Sequence, residues 1–199
     1  FPVGYPEDVE ALEEFLERKH GVKRERRSTP VVIVAGGKGT RMPEGEKDKP
    51  KVLVEIAGKP MLHWQIGELH RQGFWNITLS LGYRADMVVD WLKGSGNGEV
   101  RYVIETEPLG TGGGLKLASQ GIKEPFIGMN ADDLADVNFR ALIRHGGKGA
   151  YHVLAGIELQ DARAFGLMEC DEHKKVCAFD EKNPDATGGG IVNIGHYYL

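Results

Sequence analysis

Five consecutive residues, Val31-Val32-Ile33-Val34-Ala35, run without a polar side chain directly into Gly36-Gly37-Lys38-Gly39-Thr40-Arg41. A β-branched run cut off by glycines is the pattern of a strand covered on both faces, not of a strand with one wet side. Strands of that kind belong to parallel sheets, whose crossover connections need helices, so this stretch alone directs the chain toward an α/β architecture.

The remaining periodicity agrees. A helix is expected after Pro60, with Met61, Leu62, Gln65, Ile66 and Leu69 on or near one face, and further helices over 85–92, 113–119 and 139–145. Strands are expected over 75–81, 100–104 and 125–129 between them. After residue 150 the helices cease, and four strands follow over 151–156, 165–170, 176–179 and 191–198. The expected fold class is therefore α/β: a Rossmann-like, mostly parallel (mixed) sheet flanked by helices, with an antiparallel lobe in the C-terminal half. Residues 1–29 read differently. Pro6, Glu7 and Asp8 suit a helix start, Val9, Leu12, Phe15 and Leu16 an apolar stripe, and Lys23-Arg24-Glu25-Arg26-Arg27 a solvated linker. They form a helical appendage or the tail of a preceding domain, and 30–199 the main domain.

Composition narrows the function. With 25 basic and 29 acidic side chains the net charge is −4, so no global field draws nucleic acid and any polyanion site must be local. The apolar run 31–35 is the longest, against the ~20 residues of a membrane helix, so no membrane span is expected. Cys170 and Cys177 face each other across a hairpin or, the favoured reading, stay free thiols in a reducing compartment; the cytoplasm is expected. The seven histidines lack zinc spacing and read as surface or packing residues.

The glycines following the first strand sit where open α/β sheets bind ligands, and backbone N–H groups there can approach phosphate oxygens. Neither the Walker A spacing nor the dinucleotide fingerprint is present. From Gly36 to Lys51 there are five basic residues against three acidic, a local +2 in a chain of −4. Arg41 offers a planar fork to phosphate and Lys51 a compact charge. A second glycine loop, Glu107-Pro108-Leu109-Gly110-Thr111-Gly112-Gly113-Gly114, can admit a flat base against the backbone. Asn130-Ala131-Asp132-Asp133 follows another strand, where a carboxylate can hold Mg2+ or simply cap a turn.

Gly36-Gly37-Lys38-Gly39-Thr40-Arg41-Met42 followed by Pro50-Lys51 resembles the G-x-G-T-R-[LM]…P-K signature of sugar-1-phosphate nucleotidylyltransferases, and the similarity runs from about Val31 to Leu199. The resemblance implies Mg2+-dependent transfer of a nucleotidyl group from a nucleoside triphosphate to a sugar 1-phosphate, with release of pyrophosphate. It implies catalytic roles for Arg41, Lys51, Asp132 and Lys182, and nucleotide contacts from Ala35, Gly36, Gly37, Gly39, Thr40, Gly110, Thr111 and Gly112. Asp132 would be the metal ligand, with Asp133 able to substitute; Ala131 departs from the family's Gly. Phe165-Gly166-Leu167-Met168-Glu169 and Phe179-Asp180-Glu181-Lys182 resemble the family's sugar hairpin, so Asn130, Gly166, Glu181, Lys182 and Asn193 would meet the sugar phosphate. A surface ion pair at Lys182 and a strand-end role for Asn193 stay open.

Three segments divide the substrate assignment. Residues 42–64 look like N-acetylglucosamine-1-phosphate uridylyltransferases, whereas 79–91 and 105–118 look like heptose- or mannose-1-phosphate guanylyltransferases. The base loop discriminates, which favours GTP. Uridylyl transfer to an amino-sugar 1-phosphate, a non-catalytic regulatory subunit and transfer to another phosphorylated alcohol are the alternatives, and a homo-oligomer is compatible with any of them. The chain opens on Phe1 and stops at Leu199, short of the family's second metal-binding Asp, and reads as a piece of a longer protein.

Overall fold

The run Val31–Ala35 forms β1, and its neighbours explain its composition: β4 (Ile77–Leu81) pairs with it on one side and β6 (Ile127–Asn130) on the other, both in parallel. The structure, a computed structural model, describes residues 28–39, 48–147, 152–162, 165–181 and 188–199, without the side chain of Glu181. Residues 1–27 of the appendage expected over 1–29, and with them Thr40, Arg41 and Lys182, lie outside the described residues.

The parallel half has the order β5-β4-β1-β6, with β5 (Arg101–Ile104) at the edge. Chain progress runs outward from β1 through β4 to β5, then returns across β1 to β6. The reversal opens a crevice at the carboxyl ends of β1 and β6, the place where such sheets bind ligands. The crossovers are α1 (Met61–Gln72), α2 (Ala85–Gly94) and α3 (Gly110–Ala118); α4 (Phe139–Gly146) follows β6. Helix α1 stops at Gly73, whose φ of 94° is left-handed; its N–H reaches the His70 carbonyl, and the Phe74 N–H reaches Leu69 O. This is the glycine-terminated Schellman arrangement. Asn138 caps α4 by accepting the Ala141 N–H at 3.1 Å. Val31, Ile33, Leu62, Leu69, Phe74, Leu79 and Ile127 meet in one core between sheet and helices.

The C-terminal half is not laid beside this sheet but continues it. Strand β10 (Gly190–Tyr198) pairs antiparallel with β6 through 196–198, with β8 (Gly166–Cys170) through 191–192, and with β7 (Val153–Leu159) on both segments. Strand β9 (Val176–Glu181) completes a hairpin with β8. The β10 register shifts between Asn193 and Tyr197, where Gly195 has a φ of +67°. Such a bulge bends the strand enough to serve both halves. In the β8–β9 hairpin Cys170 stands opposite Val176, so the two cysteines do not face each other, and both are free.

Two elements depart from expectation. A two-residue hairpin of β2 (Glu55–Ile56) and β3 (Lys59–Pro60) lies before α1. Helix α3 begins at Gly110, not at 113, so most of the second glycine loop is a helical turn. Glycine has poor helix propensity, but Gly114 packs where a Cβ would lie 3.0 Å from Val34 Cγ1 and 3.3 Å from Ser80 Oγ. Close approach of helix to sheet overrides the propensity. No helix among the described residues is long and apolar enough to cross a membrane.

Candidate active site

Pro50 leads into a single 3-10 turn, Lys51–Leu53, closed by the Leu53 N–H on Pro50 O at 2.9 Å. Val52 and Leu53 are buried, which anchors the turn and sends Lys51 toward the crevice. There its Nζ lies 3.1 Å from Asp132 Oδ2, a pair joining residues 81 apart in sequence. Their side chains are 32% and 45% exposed, so both are reachable by a ligand. The expectations for these two residues thus meet at one point between the carboxyl ends of β1 and β6.

Asn130 ends β6, and its Nδ2 donates to Asp133 Oδ2 at 3.2 Å. Burial raises the Asp133 carboxyl to about 6, the neighbouring Asp132 charge adds to the rise, and the Asn130 hydrogen bond and the Lys51 charge oppose it. On the far side stands Gly195 of the β10 bulge: a Cβ there would lie 2.3 Å from Asn130 Nδ2 and 2.5 Å from Asp133 Oδ2. Only glycine allows that approach as well as the left-handed backbone. Asn193 spends its amide inside the same bulge, accepting the Gly195 N–H at 3.0 Å and donating to the Tyr197 hydroxyl at 2.8 Å. Asn193 lies inside β10, at its bulge, and not at a strand end. His196, buried beneath, contacts the Ile194 carbonyl through Nδ1, and burial lowers its imidazole to about 4.

The first glycine loop is held from a direction that sequence reading missed. Glu105 follows β5; Ser80 Oγ donates to its Oε1 at 2.8 Å and the Leu109 N–H donates to its Oε2 at 3.2 Å. A Cβ on Gly36 would lie 2.7 Å from that Oε1, and one on Gly114 3.0 Å from it. The carboxylate thus ties together the segments after β1 and β5 and the start of α3. A Cβ on Gly37 or Gly112 would meet nothing within 4 Å, so neither glycine is required by packing among the described residues. Gly39 and Gly110 adopt left-handed φ values of 59° and 69°. A lone carboxylate at the end of β5 carries no periodic signal, which is why Glu105 escaped notice.

The hairpin expected to meet the sugar phosphate forms as a hairpin, with Gly166 buried opposite Glu181 across β8 and β9. The described residues contain no group of three His, Cys, Asp or Glu side chains able to hold a metal by themselves. Mg2+ keeps several waters and takes one or two carboxylates plus substrate phosphates. Asp132, half exposed in the crevice, fits such a role.

The sequence profile of the nucleotidyl transferase family matches residues 30–199. The D-glycero-α-D-manno-heptose 1-phosphate guanylyltransferase of Campylobacter jejuni is 31% identical over 170 residues, which are 85% of this chain and 75% of that one. Mannose-1-phosphate guanyltransferase of Saccharomyces cerevisiae is 33% identical over 180 residues, covering 84% of this chain but 49% of its own length. The chain thus spans about half the length of the mannose enzymes it matches. Among solved structures, HddC from Yersinia pseudotuberculosis superposes with a TM-score of 0.77 at 37% identity, over 86% of this chain and 76% of that one. The same protein complexed with GMP-PN gives 0.76 at 36%, with equal coverage. Strand order, crevice chemistry and profile agree: this chain belongs to the nucleotidyl transferase family.

Proposed function

We propose that this chain transfers a guanylyl group from GTP to a sugar 1-phosphate of the heptose or mannose series, releasing pyrophosphate, in the cytoplasm. One observation carries the reading: Lys51 and Asp132 converge at 3.1 Å in the crevice beside the first glycine loop. A sugar-phosphate oxygen attacks the α-phosphorus in line, the new P–O bond forms as the bond to the β-phosphate bridging oxygen breaks, and pyrophosphate carries the displaced electron pair away. No protein nucleophile is needed, so positioning and charge neutralisation supply the rate.

In this reading the backbone from Ala35 to Thr40 and the segment Gly110, Thr111 and Gly112 seat the nucleotide. Arg41 stabilises the leaving pyrophosphate, and Lys51 leaves Asp132 for the phosphates nearer the reacting centre. Asn130, Gly166, Glu181 and Lys182 receive the sugar phosphate, while Asn193 acts through the bulge it braces. Mg2+ bound at Asp132 supplies Lewis-acid charge neutralisation across the phosphates. The guanylyltransferase names of the relatives and the GMP-PN complex of HddC support the choice of base and sugar. The test is pyrophosphate release with each of GTP, UTP, ATP and CTP against heptose 1-phosphate, mannose 1-phosphate and N-acetylglucosamine 1-phosphate. GTP with one of the first two is expected to give the largest kcat/KM. A preference for UTP and the amino sugar, or no turnover together with no nucleotide binding, would overturn the proposal.

A further inference from the structure

Helix α1 presents two glutamines to the interior, Gln65 and Gln72, at the i, i+7 spacing of one helical face. Gln65 is 2% exposed. Its Nε2 donates to Asp133 O at 2.9 Å and to Asn130 O at 3.3 Å, the two ends of the Asn130-Ala131-Asp132-Asp133 turn. Its Oε1 is buried with no hydrogen-bond partner. An unsatisfied buried acceptor is a cost that an apolar side chain of the same shape would avoid, so the amide at this place is explained by what its other end holds. It holds the loop that bears Asp132 and nothing else among the described residues.

The same turn is confined from two more directions, by Gly195 at its Asn130 and Asp133 side chains and by Lys51 at Asp132. Those contacts fall on side chains. The turn's backbone is held by β1, through the Ala131 N–H on Val34 O at 2.9 Å, and by Gln65, whose amide bonds the carbonyls at both ends and so sets where the Asp132 carboxylate leaves the chain.

We propose that Gln65 is a positioning residue for the metal carboxylate: by clasping both ends of the turn it fixes Asp132 for a divalent cation shared with the nucleotide. The inference rests on Asp132 being that ligand. Partners that orient ligating groups typically change metal affinity 10–100-fold when removed. Gln72 provides the control. It is also buried and also binds this chain segment, donating to Val137 O at 2.7 Å and accepting the Phe139 N–H at 3.1 Å, but at the start of α4 instead of beside Asp132.

The experiment measures Mn2+ affinity by electron paramagnetic resonance on protein saturated with a non-hydrolysable GTP analogue, together with nucleotide affinity in EDTA and the melting temperature. Gln65→Met is expected to weaken Mn2+ binding about tenfold while leaving metal-free nucleotide affinity unchanged. Gln72→Met is expected to lower the melting temperature without moving Mn2+ affinity, and Asp132→Asn to weaken Mn2+ more than Gln65→Met does. Equal Mn2+ affinities in wild type and Gln65→Met, with Asp132→Asn weakened, would overturn the role of Gln65 alone. An unchanged Asp132→Asn would overturn the metal reading and this inference with it. If Gln65→Met does not fold, Gln65→Asn, which keeps the donor one methylene short, replaces it under the same expectation.

Discussion

Asp133→Asn in metal-free protein isolates the cost of ionising a carboxyl that the fold holds near 6, against 3.8 for its ordinary value. Between those values the folded state keeps a proton that the unfolded chain has already released. Stability therefore declines as pH rises through this window, at about 1.4 kcal/mol per unit. The shift of about 2.2 units corresponds to roughly 3 kcal/mol at neutrality. This is an upper figure, because local opening and water reach a turn at the crevice edge. Asparagine keeps the shape without the charge, so the stability difference, variant minus wild type, is expected to climb by about 1–3 kcal/mol from pH 4 to pH 7 and then level off. Urea melts at half-unit pH steps with EDTA measure it, and every group common to both proteins cancels in the difference. Parallel stability profiles across the whole range would refute the reasoning, since Asp133 would then titrate alike in both states. In the wild-type protein His196 works the other way. Its imidazole, held down near 4, makes the unfolded chain bind the extra proton, so its contribution is complete above 6.5 and fades as pH falls toward 4.

Gly36→Ala places a Cβ against the Glu105 carboxylate alone, all three nearest atoms belonging to that side chain. It should weaken nucleotide binding, and Glu105→Ala in the same chain should recover part of the loss; calorimetric titration across the four-protein cycle would show additive effects if the two residues do not touch. Lys51→Met should lower kcat/KM about 100-fold or more, as removing a charge-stabilising donor does, while changing stability by less than about 1 kcal/mol because the pair is solvent-exposed. Pyrophosphate-release kinetics beside urea melts separate the two outcomes, and near-normal turnover would remove Lys51 from the mechanism.

The strands of the parallel half were legible because Val31-Val32-Ile33-Val34 and the run ending at Leu81 are buried on both faces and need no alternation. Lys51 and Asp132 stood out in the sequence as candidates but not as partners, since 81 residues separate them and they meet through the folded sheet, in which β1 pairs with β6. Helix α3 was misplaced at its start because Gly110 to Gly114 read as a loop by propensity, whereas close packing on Val34 and Ser80 decides their conformation. Gln65 counted only as a member of an apolar face, and no local pattern tells a buried amide with a distant loop to hold from one at the edge of a stripe. Glu105 shares that blindness: its partners Ser80 and Gly36 come from strands assembled by crossovers.

Strand β10 has a consequence for how substrates share the molecule. One uninterrupted backbone borders β6 near the Lys51–Asp132 pair and, a few residues earlier, β8 with Gly166 of the hairpin proposed to meet the sugar phosphate. Between the two stretches lies the bulge at Gly195, with its left-handed φ. In the proposed reading, then, the acceptor phosphate and the α-phosphorus would be spaced from one another along a single β-strand.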